Sequence, residues 1–506
     1  MNDTERQLRL GLEIESNDDV IKLYGARNFK INQLIGSSDA SNIDFELLKD
    51  FSIDKADCTE YLNEENKFMI LCAPKGTGKT TLNLLWSNKL GKRPNHLSIV
   101  KYDSNISPEA DDSVSPTSWI RMWKLNILDA IYQKLDIVYK INKSEWEGIY
   151  KLARNNNQSY NIIDCIVNTL KKRKMKKVEE LVQKRNLKIW LFIDEVDQFF
   201  TKSPQNINKV STLLLACKDL SNLFSNVYIR TTLKPNVWAI LASQVTSLAT
   251  MRDFIVDYRW SSDEIKTMIA KRISSYYHKY CDNDIVTKDD DWYIGLLFDL
   301  TTDFDLSDKN VEKRKQNNIT KFEPHKTLSL LGIKRPRWVL SLIRQAIIEA
   351  NKTDSGNKIT ITHIKKCLAN YGRERLLDIS AEYKVQCDNL RFIFYAFNRK
   401  NSSYKYTKLL TVINEEIVNQ QTVKIDGVSD SCNAIQIAKY LYEIGFIEPK
   451  NRISKNKVEF WNFVENPLLL NDEGEDVESV AEQFIWEIQP AFRNVLNLDK
   501  VITRQN

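Results

Sequence analysis

The alternation of apolar and polar positions divides the middle of the chain into short apolar runs separated by helix-period segments. The run Phe68-Met69-Ile70-Leu71-Cys72 breaks into glycines and then into an amphipathic stretch, Thr81 to Leu90, apolar at 82, 84 and 85. This order predicts strand, loop, helix. Residues 95–102 read as a second strand, and 116–135 as a longer helix with Ser115 as cap and Pro116 as first helical residue. Residues 138–187 read as a polar, helical insertion. Ile189-Trp190-Leu191-Phe192-Ile193, bounded by acids, predicts a strand buried on both faces. Residues 226–233 and 254–260 supply two more. Strands alternating with helices predict a parallel sheet covered on both sides.

The pattern changes at Ser262. Helical period dominates from there to about 377, interrupted by a polar stretch, 303–326, with eleven charged residues, which reads as a loop. Pro336 marks another helix start. Residues 386–465 predict a compact domain: helices over 388–397 and 433–444, then two strands joined by a basic turn at 450–456, a winged-helix arrangement. An acidic linker, Asp472-Glu473-Gly474-Glu475-Asp476, precedes a last helix holding Phe484, Trp486, Pro490, Phe492 and Leu496. The domain reading is therefore 1–66, an N-terminal arm; 67–261, the sheet domain; 262–385, a helical lid; 386–470, the winged helix; and 471–506, linker and helix.

Length and composition add little that contradicts this. The 506 residues suffice for about three domains. Eight scattered cysteines, with no C-x-x-C and no His at metal-ligand spacing, suit a reducing cytosol. A polar N-terminus and the absence of any run of about 18 apolar residues predict a cytoplasmic chain with no membrane segment. The net charge of +6 is unevenly spread: residues 151–188 carry eleven Lys/Arg against three Asp/Glu. The basic run at 171–177 reads first as a solvated helix face, with nucleic-acid contact as the alternative. Residues 386–460 are only weakly basic, so their winged helix can serve DNA or a protein contact.

Two motifs carry chemistry. Ala73-Pro74-Lys75-Gly76-Thr77-Gly78-Lys79-Thr80 has the spacing of a phosphate-binding loop, with Ala where Gly is usual, and Thr81 continues it. Gly76 and Gly78 let main-chain N–H groups curl around phosphate oxygens, and the following helix adds unpaired donors and a positive dipole. Lys79 would reach the β and γ phosphates, and the Thr80 hydroxyl would complete a Mg²⁺ shell. At 194–197, Asp194-Glu195-Val196-Asp197 forms a Walker B pattern: Asp194 would hold Mg²⁺ and Glu195 would polarise the attacking water, while Asp197 reads as a helix cap. The polar end of the 226–233 strand offers Arg230, Thr231 and Thr232 as γ-phosphate sensors, and structural capping explains them equally. In Arg335-Pro336-Arg337, Arg337 is favoured over Arg335 as a lid residue reaching the nucleotide.

Taken with the loop, the Asp-Glu pair, the Pro-Arg at 336–337 and the C-terminal pattern, the chain resembles bacterial AAA+/STAND-type P-loop ATPases with an initiator-like, origin-recognition-like layout. It is similar to a bacterial family sharing features such as Arg335-Pro336-Arg337, Arg373-Glu374-Arg375, the Leu-Tyr-Glu-Ile-Gly-Phe at 441–446 and the Pro-Ala-Phe-Arg at 490–493. The resemblance implies a P-loop NTPase (AAA+/ASCE-like) α/β sheet domain with helical lid and winged helix. It further implies ATP and Mg²⁺ as cofactors, a homo-oligomer, and a role in anti-phage defence or mobile-element biology beside an effector protein. DNA contact, through the winged helix and the basic insertion, stays open beside a protein contact. No arginine finger is assignable, Arg252 and Arg259 being the options. The alternative reading is a non-hydrolysing, nucleotide-gated DNA-binding regulator or scaffold.

Overall fold

All five expected core strands form, in one parallel sheet. The computed structural model describes residues 12–15, 20–23, 31–36, 45–53, 55–108, 114–155, 159–172, 178–280, 287–300, 323–353, 358–428, 430–452, 458–463, 465–467, 469–470 and 477–499. Most of the basic run at 171–177, the acidic linker, most of the polar stretch at 303–326 and the tip of the 450–456 turn lie outside them. Strands are numbered along the chain: β1 Leu12–Glu15, β2 Val20–Leu23, β3 Phe68–Cys72, β4 His96–Tyr102, β5 Lys188–Asp194, β6 Val227–Leu233, β7 Ile255–Asp257, β8 Ser403–Tyr404, β9 Ile447–Arg452, β10 Val458–Phe460 and β11 Ile485–Ile488.

The chain forms two compact units. One runs from Asp54 to Tyr258; the other combines the described residues up to Ile53 with those from Arg259 onward. The described residues up to Ile53 therefore group with the helical unit, whereas the described part of the expected 1–66 arm from Lys55 onward, including the short helix Ala56–Tyr61, belongs with the sheet.

In the sheet unit the order is β4-β5-β6-β3-β7, with every pairing parallel. Residues alternate between two covered faces. Ile189, Leu191 and Ile193 share a core with Trp123, Ile127 and Ile131 of helix Pro116–Tyr139 and with Leu213, Leu214 and Leu220 of helix Pro204–Leu223. On the opposite face Trp190 stacks on Tyr228, ring centres 4.6 Å apart. Ser115 caps the Pro116–Tyr139 helix as expected, accepting from the Ser118 N–H at 3.3 Å.

The described residues of the 138–187 segment are mainly helical as expected, but they are not polar throughout. Its helices, among them Lys143–Asn155 and Ile162–Lys172, bury Trp146, Ile149, Ile162, Ile163, Ile166, Val167 and Leu170 in the same core. Charges on their solvent faces dominate the composition and mask the apolar stripe. Asn226 staples the segment to the sheet, its Oδ1 accepting from Ile162 N–H at 3.1 Å and its Nδ2 donating to the Leu187 carbonyl at 3.0 Å.

In the other unit, β1 and β2 pair antiparallel, and helices Ser262–Tyr280, Asp290–Leu297, Pro324–Leu331, Pro336–Thr353 and Ile361–Glu382 follow. Two arginines fix the N-terminal segment here. Arg272 donates to the Ile35 carbonyl at 2.6 Å, and Arg344 donates to Asn32 Oδ1 at 2.8 Å and to the Gly36 carbonyl at 2.7 Å. All three acceptors lie on or just past helix Ile31–Ile35, whose terminal carbonyls lack intrahelical donors. Burial pushes the Arg272 guanidinium down to about 9.

The C-terminal part carries helices Leu390–Tyr395, Tyr406–Ile413 and Ala434–Glu443 and a sheet in the order β10-β9-β11-β8. The expected hairpin β9/β10 is present. However, β11 lies between β9 and β8, in a stretch expected to be helical. Ile485-Trp486-Glu487-Ile488 alternates outward and inward, and Trp486 and Ile488 are buried. The strand period is thus present, but across only four residues beside an aromatic-rich helix signal. The expected last helix shrinks to the single turn Pro490–Arg493. It docks on helix Ile361–Glu382 at Gly372, where a Cβ would lie 2.7 Å from the Ala491 carbonyl.

Candidate functional site

Both nucleotide motifs end at the C-terminal edge of the parallel sheet, on the two flanks of β6. On one flank, the Ala73 N–H donates to the Leu233 carbonyl at 3.0 Å, so the phosphate-type loop starts in register with the end of β6. Gly76 has φ 84° and Gly78 φ 99°, in the left-handed region that strains any residue with a Cβ. Helix Lys79–Gly91 follows with Gly78 as its N-cap and no side-chain cap, which leaves its first N–H groups to a ligand. Thr77 is buried, its hydroxyl donating to the Pro74 carbonyl at 2.8 Å. Lys79 Nζ donates to the carbonyls of Ala73, at 2.6 Å, and Pro74, at 3.1 Å, folding the side chain over the loop. Thr80 and Thr81 sit in the first turn of the helix, and Lys75 lies in the loop.

On the other flank, Asp194 ends β5 and is 2% exposed. Its Oδ1 accepts from the Thr232 hydroxyl at 2.5 Å and from the Glu195 N–H at 2.9 Å. Its Oδ2 is buried with no hydrogen-bond partner among the described residues. A buried, unsatisfied carboxylate oxygen is costly unless something else satisfies it. With the Thr80 hydroxyl it makes an all-oxygen donor set, the kind Mg²⁺ takes. The two residues therefore suit the cation that the loop spacing implies.

Glu195, which follows, is exposed and has φ 60°. A non-glycine residue in that region costs roughly 1–2 kcal/mol and persists only when its neighbours hold it there. Val196 and Phe200, each 4% exposed, peg the turn into the core. Asp197 is buried and accepts from the main-chain N–H of Lys234, while Lys234 Nζ donates to the Asp197 carbonyl at 3.3 Å. Lys234 is the N-cap of helix Pro235–Gln244, so Asp197 serves a neighbouring helix and not one of its own.

Arg230 is not at this edge, which corrects the expectation that it senses or acts on the γ-phosphate. It pairs with Met69 in mid-sheet and is fully buried. Its guanidinium donates to the carbonyls of Asn63 at 2.8 Å, Asn66 at 2.6 Å and Ile229 at 3.0 Å, toward the segment that enters β3. It also stacks over Trp190, 4.8 Å from the ring centre. Burial pushes it down to about 10. Thr232, the option two residues later on the same face, is the one brought to the acids. Position along the strand could have separated the two, because only the later residue reaches its end.

Arg337 is exposed in the first turn of helix Pro336–Thr353, in the other unit. Arg335 stacks over Trp338 at 4.7 Å. Of the two finger options, Arg259 faces Glu465 at 3.8 Å and Arg252 lies in the Thr246–Phe254 turn.

Strand order, glycine loop and paired acids together define a P-loop NTPase-type α/β fold. No family model matches the chain, and no curated protein matches it. Solved structures similar to it include the Walker-type ATPase of Pyrococcus abyssi, 13% identical over 84% of this chain and 93% of that one, with a TM-score of 0.33. The ORC2 protein of Aeropyrum pernix, in ADPNP–ADP complexes, is 12% identical over 87% and 88%, at 0.37. Cdc6p of Pyrobaculum aerophilum is 12% identical over 89% and 96%, at 0.28. At such distances the functional reading rests on the site's own geometry. No helix among the described residues is long and apolar enough to cross a membrane.

Proposed function

We propose that the chain is a Mg²⁺-dependent ATPase that works as a nucleotide-driven switch or assembly motor. The observation that carries this is the meeting of the open-ended loop and the buried Asp194 at one sheet edge, each tied to β6. Loop amides, the uncapped helix terminus and Lys79 bind the phosphates. Thr80 and Asp194 hold the cation, which supplies charge neutralisation between the phosphate oxygens when bound. Glu195, held out at the edge by its turn, polarises the attacking water. The resemblance assigns γ-phosphate sensing to Arg337, on helix Pro336–Thr353, so that ATP shifts the chain's conformational equilibrium by differential contact.

Lys79→Ala is expected to weaken nucleotide binding, and Glu195→Gln to keep binding and stop phosphate release. Titration of a fluorescent nucleotide and a phosphate-release assay on both variants check this. Full turnover in Glu195→Gln removes that residue from the role. A wild-type chain that binds ATP and never releases phosphate favours the scaffold reading instead.

The four-stranded C-terminal sheet and the helices before it support a winged-helix reading in which β9 and β11 form the central pair. DNA contact through this domain, self-assembly, and work beside an effector in anti-phage defence or mobile-element biology are carried by the resemblance alone. Size measurement with and without ATP and DNA tests them together. A monomer indifferent to both rejects assembly and DNA contact.

A further inference from the structure

We infer that Asp197 is a positioning residue for hydrolysis: by gripping the main chain at the end of β6, it holds the turn that presents Glu195. This deepens the ATPase reading and rests on it. Glu195 occupies a left-handed conformation that an unconstrained Glu leaves readily, so something must hold the turn at both ends. The near end is held by Asp194, whose Oδ1 takes the Glu195 N–H. The far end is held by Asp197, three residues from Asp194, through its carboxylate on the Lys234 N–H and its carbonyl under Lys234 Nζ. The Gln198 N–H closes the turn onto the Glu195 carbonyl at 3.2 Å.

The anchor point matters as much as the bond. Lys234 directly follows Leu233, whose carbonyl receives the first N–H of the phosphate-type loop, and is two residues beyond Thr232, which holds Asp194. One short stretch of β6 therefore fixes the loop, the metal-type acid and, through Asp197, the general base. A buried carboxylate on a main-chain amide is a geometric clamp that an amide oxygen can replace and a methyl cannot.

The test compares Asp197→Ala with Asp197→Asn in the full chain, reading kcat, KM and the affinity for a non-hydrolysable ATP analogue. Asp197→Ala is expected to lose kcat on the order of 10²-fold, the scale of a displaced catalytic group, with analogue affinity within about twofold. Asp197→Asn, which keeps an acceptor, is expected to stay within a few-fold of wild type. Wild-type turnover in Asp197→Ala overturns the inference, as does an equal loss of analogue affinity, or an Asn variant as slow as the Ala one. Should Asp197→Ala not fold, Asp197→Glu takes its place, keeping the charge but moving the oxygens by one carbon; the same kcat loss with affinity kept is expected, and unchanged kcat overturns the inference. If the wild-type chain itself releases no phosphate, the ATPase reading has failed; if it does and Asp197→Ala matches it, only the present inference has.

Discussion

The two edges of the same five-stranded sheet treat their polar groups differently. At the edge where β3 and β6 begin, protein atoms answer charge. Arg230 meets three carbonyls, and Glu64 gathers Lys188, His96 at 3.3 Å and Arg93 at 3.4 Å. At the edge where they end, Asp194 Oδ2 has no protein partner among the described residues, two glycines open the loop, and the helix start is uncapped by any side chain. Both edges carry conspicuous charged residues, but only at the second is a carboxylate oxygen bare among the described residues; at the first, Arg230 lacks a partner only at Nε, its two terminal nitrogens being bonded to carbonyls. A polar group satisfied inside the protein stabilises; a bare, buried carboxylate oxygen on the sheet edge that also carries the glycine loop suits a ligand.

Substitutions at the two edges should therefore separate cleanly. The largest expected effect is Asp194→Asn. Replacing the bare oxygen's carboxylate should cut phosphate release by 10²-fold or more and remove the Mg²⁺ dependence of nucleotide affinity, with little change in unfolding temperature. Unchanged hydrolysis in that variant would make the two edges equivalent. Next is Arg230→Met, which strands three carbonyls and should lower stability by about 3 kcal/mol in denaturant unfolding while nucleotide affinity stays put. A selective loss of affinity or turnover would return Arg230 to the site.

Smallest is Glu64→Gln. The hydrogen bond from Lys188 holds the Glu64 carboxyl below its usual range, as does His96. A depressed carboxylate contributes stability above its unfolded value and loses it as the pH falls through the folded one. Glu64 is about a third exposed, so the contribution is screened to roughly 0.5 kcal/mol or less. Wild-type and Glu64→Gln unfolding midpoints should differ slightly at pH 7 and converge toward pH 3.

Much of the site was legible because its signals are local. The loop's two glycines, the Lys-Thr after them and the five apolar residues before Asp194 each dictate a conformation within a few residues. Arg230 was misread because a polar residue near a strand's end looks alike whether it points to a ligand or back into the sheet. Three carbonyls, two of them more than 160 residues away in sequence, decided it. Asp197 reads as a helix cap, but it accepts instead from the main-chain N–H of Lys234, the residue before helix Pro235–Gln244.

The sequence by itself determined the strand-loop-helix of the phosphate site, the buried acid-ending strand, the capped helix at Ser115 and the helical character of the described residues between 262 and 377. Those follow from side-chain period and backbone preference, which act over one or two turns of chain. Tertiary structure alone decided that the described residues up to Ile53 join the second unit, that helices Lys143–Asn155 and Ile162–Lys172 help build the sheet's core, that β11 enters the C-terminal sheet, and that Thr232 rather than Arg230 meets Asp194. Each of these depends on which distant segments bury one another's apolar faces and pair one another's main-chain groups, and no local window of sequence contains that information.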